Sequence, residues 1–189
     1  GKFIGYPLAF LYILHFMYVA SRVLRDFTEL LITSTLVNTP MFMIGFIMIT
    51  LISYAVYKGI ESIARTGEIL LVVIVLCGVL GISFLFLSGA VKFENLTPVL
   101  ENGWKPVLTT VFPQTLSFPF GEMVVFTMLL PYLNNPHSGV KVGMYALTLS
   151  GLVLTVTIAI DISVLGPHSA TNSMFPLLRT GQKINVGNF

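Results

Sequence analysis

Residues 69–91 read ILLVVIVLCGVLGISFLFLSGAV, without one charged side chain. At about 1.5 Å per residue, a helix of that length crosses the roughly 30 Å of hydrocarbon in a bilayer. Four further apolar segments occupy residues 7–24, 40–57, 106–133 and 142–165. Inside lipid, backbone amides and carbonyls find no water, so an apolar run must satisfy them within itself, as an α-helix does. The expected fold is therefore all-α: a polytopic membrane protein with five spans.

The composition leaves little room for another class. Hydrophobic residues make up 55% of the 189 and charged residues only 10%, against about 25% charged in soluble domains. A formal net charge of +2, scattered along the chain, points away from nucleic acid as a partner. The single cysteine, Cys77, excludes an internal disulfide and reads as a small core residue. The chain opens at Gly1 without a methionine, shows no signal-peptide pattern, and stops at Phe189 after a polar stretch. A fragment of a longer protein is expected.

The connections carry the charges. Arg22–Asp26, Arg25–Glu29 and Glu61–Arg65 are each four residues apart, the spacing at which side chains meet on one helix face. The connector KGIESIARTGEIL is thus expected to be helical and to lie at the membrane interface. Trp104 suits a headgroup anchor. LNNPHSG, residues 133–139, reads as a turn-rich loop, and residues 166–187 as a long loop with a partial helix. Gly45, Gly78, Gly81, Gly89 and Gly151 are candidates for close helix packing. Lys2, Lys58, Arg65 and Lys141 fall on one side of the membrane, and Arg22, Arg25, Lys92, Lys105, Arg179 and Lys183 on the other. The excess of Lys and Arg points to the second side as cytoplasmic.

One segment contradicts its own hydrophobicity. LSFPFGE, residues 116–122, places Pro119, Gly121 and Glu122 in the middle of an apolar run that also contains Pro113. Proline removes an amide donor and glycine loosens the backbone. A broken membrane helix exposes amides and carbonyls that can hold the charged ends of a small solute. Ser117 adds a hydroxyl, and Phe118 and Phe120 can wall an apolar side chain. The alternative is a structural kink. Glu122 is either a proton- or ion-coupling group or a local cap at the restart of the helix. His15 shares a helix face with Tyr12, Val19 and Arg22. It is either a ligand contact or proton relay, or a histidine bonded to a neighbouring helix. Asp161, His137 and His168 read as solvated surface groups. No catalytic triad, phosphate loop or metal-ligand spacing is present, so neither an enzyme nor a cofactor is expected.

AFLYILHFMYVASRVLRDFTELL, YKGIESIARTGEIL, LTPVLENGWKPVL, SFPFGEMVVFTMLLPYLN and VLGP, in that order, together resemble the spore germination permease family, the B-type subunits of germinant receptors. That family is similar to the amino acid–polyamine–organocation transporters. The resemblance spans essentially the whole chain. It implies ten helices in two inverted repeats of five, of which the spans here look like helices three to seven. The segment 106–133 then takes the place of the broken sixth helix. The family pattern also sets KGIESIARTGEIL on the cytoplasmic side, against the charge count. By this resemblance the ligand residues are Ser117, Phe118, Pro119, Phe120 and Gly121, with His15 and Val19 from the first span. Many relatives are expected to carry an aromatic residue where this chain has His15, so the ligand preference stays open.

The function implied is nutrient sensing: a subunit in the spore inner membrane that binds a germinant, an amino acid by expectation, and signals to other receptor subunits. The alternatives are a proton-coupled amino acid transporter, an ion or water channel subunit, and a scaffold without a ligand.

Overall fold

The computed structural model describes residues 2–101, 103–130 and 136–184. Helix α1 spans Lys2–Ser34, α2 Met41–Lys58 and α3 Ile60–Leu87. A 3-10 turn at Phe93–Leu96 leads to the short helix α4, Trp104–Thr110. A π turn, Val111–Thr115, and a 3-10 helix, Phe120–Met128, follow. Helix α5 covers Pro136–Leu165, and two short helices, α6 Pro167–Thr171 and α7 Pro176–Gly181, close the chain. All regular structure among the described residues is helical, and the protein is a polytopic membrane protein. Four helices are long and apolar enough to span: Phe3–Ser34, Met41–Lys58, Ile60–Leu87 and Ser138–Leu165. The end of the segment 106–133, the start of the LNNPHSG loop and residues 185–187 of the tail lie outside the described residues.

Two compact units, Gly1–Cys77 and Gly78–Phe189, divide the chain within α3. In the first, α1 packs on α2. Pro40 caps α2 at its N-terminus, where an amide hydrogen is not needed. Gly59 ends α2 with φ +89°, a conformation that side chains resist, and α3 begins at the next residue. The connector KGIESIARTGEIL is therefore helical, as its spacing predicts. Glu61 and Arg65 pair at 2.7 Å on its exposed surface, and Arg25 pairs with Glu29 at 2.9 Å on α1.

The long helices meet little protein within this chain. Ile44 and Leu85 are the buried apolar side chains among the described residues. Cys77, expected in a core, is exposed instead: among the described residues none covers it. In lipid this costs little, since acyl tails solvate apolar side chains as well as other side chains do. Of the five glycines expected to permit close packing, Gly45, Gly78, Gly81 and Gly89 face open space, and Gly151 has a ring against it.

In the second unit the last turns of α5 form a polar junction. The Phe93–Leu96 turn, α6 and α7 all pack on α5. Thr180 donates to Asp161 Oδ1 at 2.6 Å. Ser163 O accepts from the Lys92 amide at 3.1 Å and from Asn95 Nδ2 at 2.9 Å. Asp161 is 6% exposed and Thr180 1%. The expectation of a solvated Asp161 is thus corrected: the chain turns back at Gly166, φ +79°, and α7 covers the carboxylate. Pro167 and Pro176 each occupy a first-turn position of α6 and α7, where proline favours helix initiation.

Candidate functional site

The segment 104–130 departs from α-helix for identifiable reasons. Pro113 and Pro119 have no amide hydrogens, so the Thr109 and Thr115 carbonyls lack their α-helical donors. The residue before a proline is pushed toward extended backbone, and Phe112 adopts φ −111°, ψ 115°. The ladder slips by one position into the π turn, with the Leu116 amide reaching Val111 O. Hydroxyls supply local bonds: Thr110 to Pro106 O at 2.9 Å and Ser117 to Pro113 O at 2.7 Å. The departure therefore begins at Val111, earlier than LSFPFGE.

Beyond Ser117 the backbone turns at Phe118 and Pro119 and restarts as the 3-10 helix at Phe120. This helix runs for nine residues, well beyond the three or four at which 3-10 winding is usually found. Gly121 makes its start feasible, because a Cβ there would sit 3.0 Å from the Leu116 carbonyl oxygen. The Phe120 ring lies against α5, with its Cζ 3.9 Å from where a Gly151 Cβ would be. Ser117, Phe118 and Pro119 are exposed, and Phe120 and Glu122 half-buried. Glu122 stands in the first turn of the 3-10 helix, whose N-cap residue is Pro119. The carboxylate is placed where amide dipoles favour a negative charge.

Ser117, Phe118, Pro119, Phe120, Gly121 and Glu122 thus come together in the second unit by chain continuity. His15 and Val19 belong to the first unit. They lie on uninterrupted α1, His15 exposed and Val19 half-buried, with the His15 and Phe16 rings 5.7 Å apart. His168 is exposed and meets the Asn172 amide; the side chain of His137 lies outside the described residues. Among the described residues no three His, Cys, Asp or Glu side chains converge on a metal position. Sequence reasoning missed the polar junction at the end of α5, although Pro167 and Pro176 signalled helix starts that fold the tail back.

The site can offer backbone carbonyls to a cation, amides to an anion, one carboxylate and two aromatic walls. Comparison with known proteins gives these features a setting. A family model described as spore germination protein matches residues 1–189. Spore germination protein KB of Bacillus subtilis (strain 168) is 44% identical over the whole chain, which covers 51% of that protein. Spore germination protein XB of Bacillus anthracis is 26% identical, and the chain covers 52% of it. The putative spore germination protein YfkT of Bacillus subtilis (strain 168) is 27% identical over 98% of the chain. The chain spans about half the length of these relatives. No solved structure matches it significantly. With a family match over every residue and an interrupted apolar segment between uninterrupted ones, this chain belongs to the spore germination protein family.

Proposed function

We propose that this chain forms part of a nutrient-sensing subunit of a spore germination receptor. The subunit sits in the spore inner membrane beside other receptor subunits and binds a small germinant, an amino acid by class. The five apolar segments at 7–24, 40–57, 69–91, 106–133 and 142–165 all cross the bilayer in this reading, the fourth as a broken span. The ligand binds at the break. Backbone carbonyls near Thr115 and Leu116 accept from its ammonium, amides at the start of the 3-10 helix meet its carboxylate, and Phe118 and Phe120 hold its side chain. His15 and Val19 are assigned to ligand binding on family resemblance alone. Binding favours one helix arrangement by differential affinity, and no covalent step is required.

The observation that carries this reading is the family match over the full chain. The interrupted segment supports its placement. The test uses spores carrying the full-length protein with Phe118→Ala. Losing one aromatic wall raises the half-maximal germinant concentration roughly 10- to 100-fold, as expected for about 1.5–3 kcal/mol of apolar contact. Immunoblotting confirms that the receptor persists. An unchanged dose–response curve for Phe118→Ala and His15→Ala alike moves the ligand away from this segment.

A second reading, proton-coupled transport, draws on Glu122, a carboxylate in the first turn after the break. Saturable, pH-dependent amino acid uptake into vesicles by the full-length protein, abolished in Glu122→Gln, favours transport over sensing.

A further inference from the structure

The polar junction at the end of α5 has a neighbour that the proposed germinant site does not use. An open cavity of about 560 Å³ is lined by Val164, Leu165, Ser169, Arg179, Gln182 and Lys183. Its two halves differ in chemistry. Val164 and Leu165 are the last residues of the spanning helix α5. Arg179, Gln182 and Lys183 recur at the three- and four-residue spacing that puts side chains on one helical face. The Lys183 amide bonds to Thr180 O at 3.1 Å, so the turn continues past α7. Among the described residues the lining contains no acid, and no carboxylate pairs with Arg179 or Lys183.

The position of these cations is set by buried contacts rather than by chance exposure. Thr180, between Arg179 and Gly181, is held to Asp161 by the buried 2.6 Å bond. That bond docks α7 on α5 and turns its neighbours toward the cavity. Two cations, an amide and a hydroxyl thus meet an apolar wall where a spanning helix leaves the bilayer. We propose that this cavity binds a phosphate-bearing anion, the headgroup of an anionic phospholipid, with the phosphate on Arg179 and Lys183 and the glycerol end of the acyl chains against Val164 and Leu165. Arginine suits phosphate through its planar fork of donors, and lysine as a point charge. Both cations stand beside the C-terminal end of a helix long and apolar enough to span, and a basic side chain near a bilayer surface attracts anionic lipid.

The experiment uses the full-length protein in a neutral detergent and follows its thermal unfolding midpoint. Dihexanoyl phosphatidylglycerol, dihexanoyl phosphatidylcholine and inorganic phosphate are titrated separately. Phosphatidylglycerol is expected to raise the midpoint saturably, and phosphatidylcholine is not. Arg179→Gln and Lys183→Gln each weaken the apparent affinity about fivefold, and the pair about 25-fold, while ligand-free midpoints stay unchanged. Lys141→Gln, at the other end of α5, leaves the titration as it was. If inorganic phosphate alone reproduces the rise and the double variant loses it, the anion site stands and its source is a soluble phosphate. The proposal is overturned if neither phosphatidylglycerol nor inorganic phosphate stabilises the protein saturably, if phosphatidylcholine stabilises it as well as phosphatidylglycerol does, or if the double variant titrates like the parent.

Discussion

Helix α5 and the segment 104–130 are built from similar residues and fold differently. Both are rich in Leu, Val and Thr, and both contain glycine. Helix α5 winds without interruption through Gly139, Gly143 and Gly151 and a run of β-branched residues. After its first residue it has no proline, so its carbonyls up to Ile162 have an amide hydrogen four residues on, and Ser163 O, which faces Pro167 in that register, is served by the Lys92 amide and Asn95 instead. Its threonines add to carbonyls already served, as Thr148 does at Met144 O and Thr155 at Gly151 O. In 104–130 Pro113 and Pro119 withdraw the donors of the Thr109 and Thr115 carbonyls, while the hydroxyls of Thr110 and Ser117 bond Pro106 O and Pro113 O, four residues back as in α5, and leave those gaps open. Hydrophobicity brings a segment into the membrane. The inventory of amide hydrogens decides whether it stays an α-helix there.

The sharpest way to break this comparison is to give α5 the same defect. Leu152→Pro removes the donor to Thr148 O and sets a ring against the preceding turn, at a cost of about 3 kcal/mol or more. The variant is expected to vanish from the membrane fraction on immunoblots; normal accumulation would mean that donor count does not separate the two segments. A smaller effect is expected at the polar junction. Thr180→Val leaves the buried Asp161 oxygen without its hydroxyl donor and costs about 1–3 kcal/mol, read as a lowered unfolding midpoint of the full-length protein. Asp161→Asn keeps an acceptor oxygen there and should cost less; the reverse order would remove the Thr180 bond from the account. The smallest contrast compares two glycines. Gly121→Ala places a methyl 3.0 Å from the backbone oxygen of Leu116, whereas Gly151→Ala meets only the tip of the Phe120 ring at 3.9 Å. The first should destabilise by about 1 kcal/mol, and the second should stay within about 0.5 kcal/mol, as at an unstrained position. Equal midpoints for both would show that the Leu116 carbonyl yields.

Much of this architecture is legible in the residues themselves. Long apolar runs without proline become long helices, and Glu61 and Arg65 mark a helical connector because their spacing allows little else. Pro119 and Gly121 announce an interruption. Its form is harder to read: the pre-proline restriction acts on Phe112, and the π turn follows from a ladder slip that no residue type encodes. The 3-10 winding past Phe120 depends on how Gly121 approaches Leu116, which is a backbone distance. Asp161 reads as solvated because a carboxylate near a helix end suits water equally well; its burial comes from a partner nineteen residues later, brought back by Gly166. Cys77 differs in the opposite sense: it reads as a core residue, but an apolar residue in lipid needs no protein around it.

The nine residues from Phe120 to Met128 also set a mechanical scale. Over eight steps a 3-10 helix advances about 16 Å, and an α-helix about 12 Å. The two windings differ by about 20° at each step, hence by roughly 160° from end to end. This stretch is a screw: a change of pitch in it turns a small axial displacement into nearly half a revolution of the side chains at its far end.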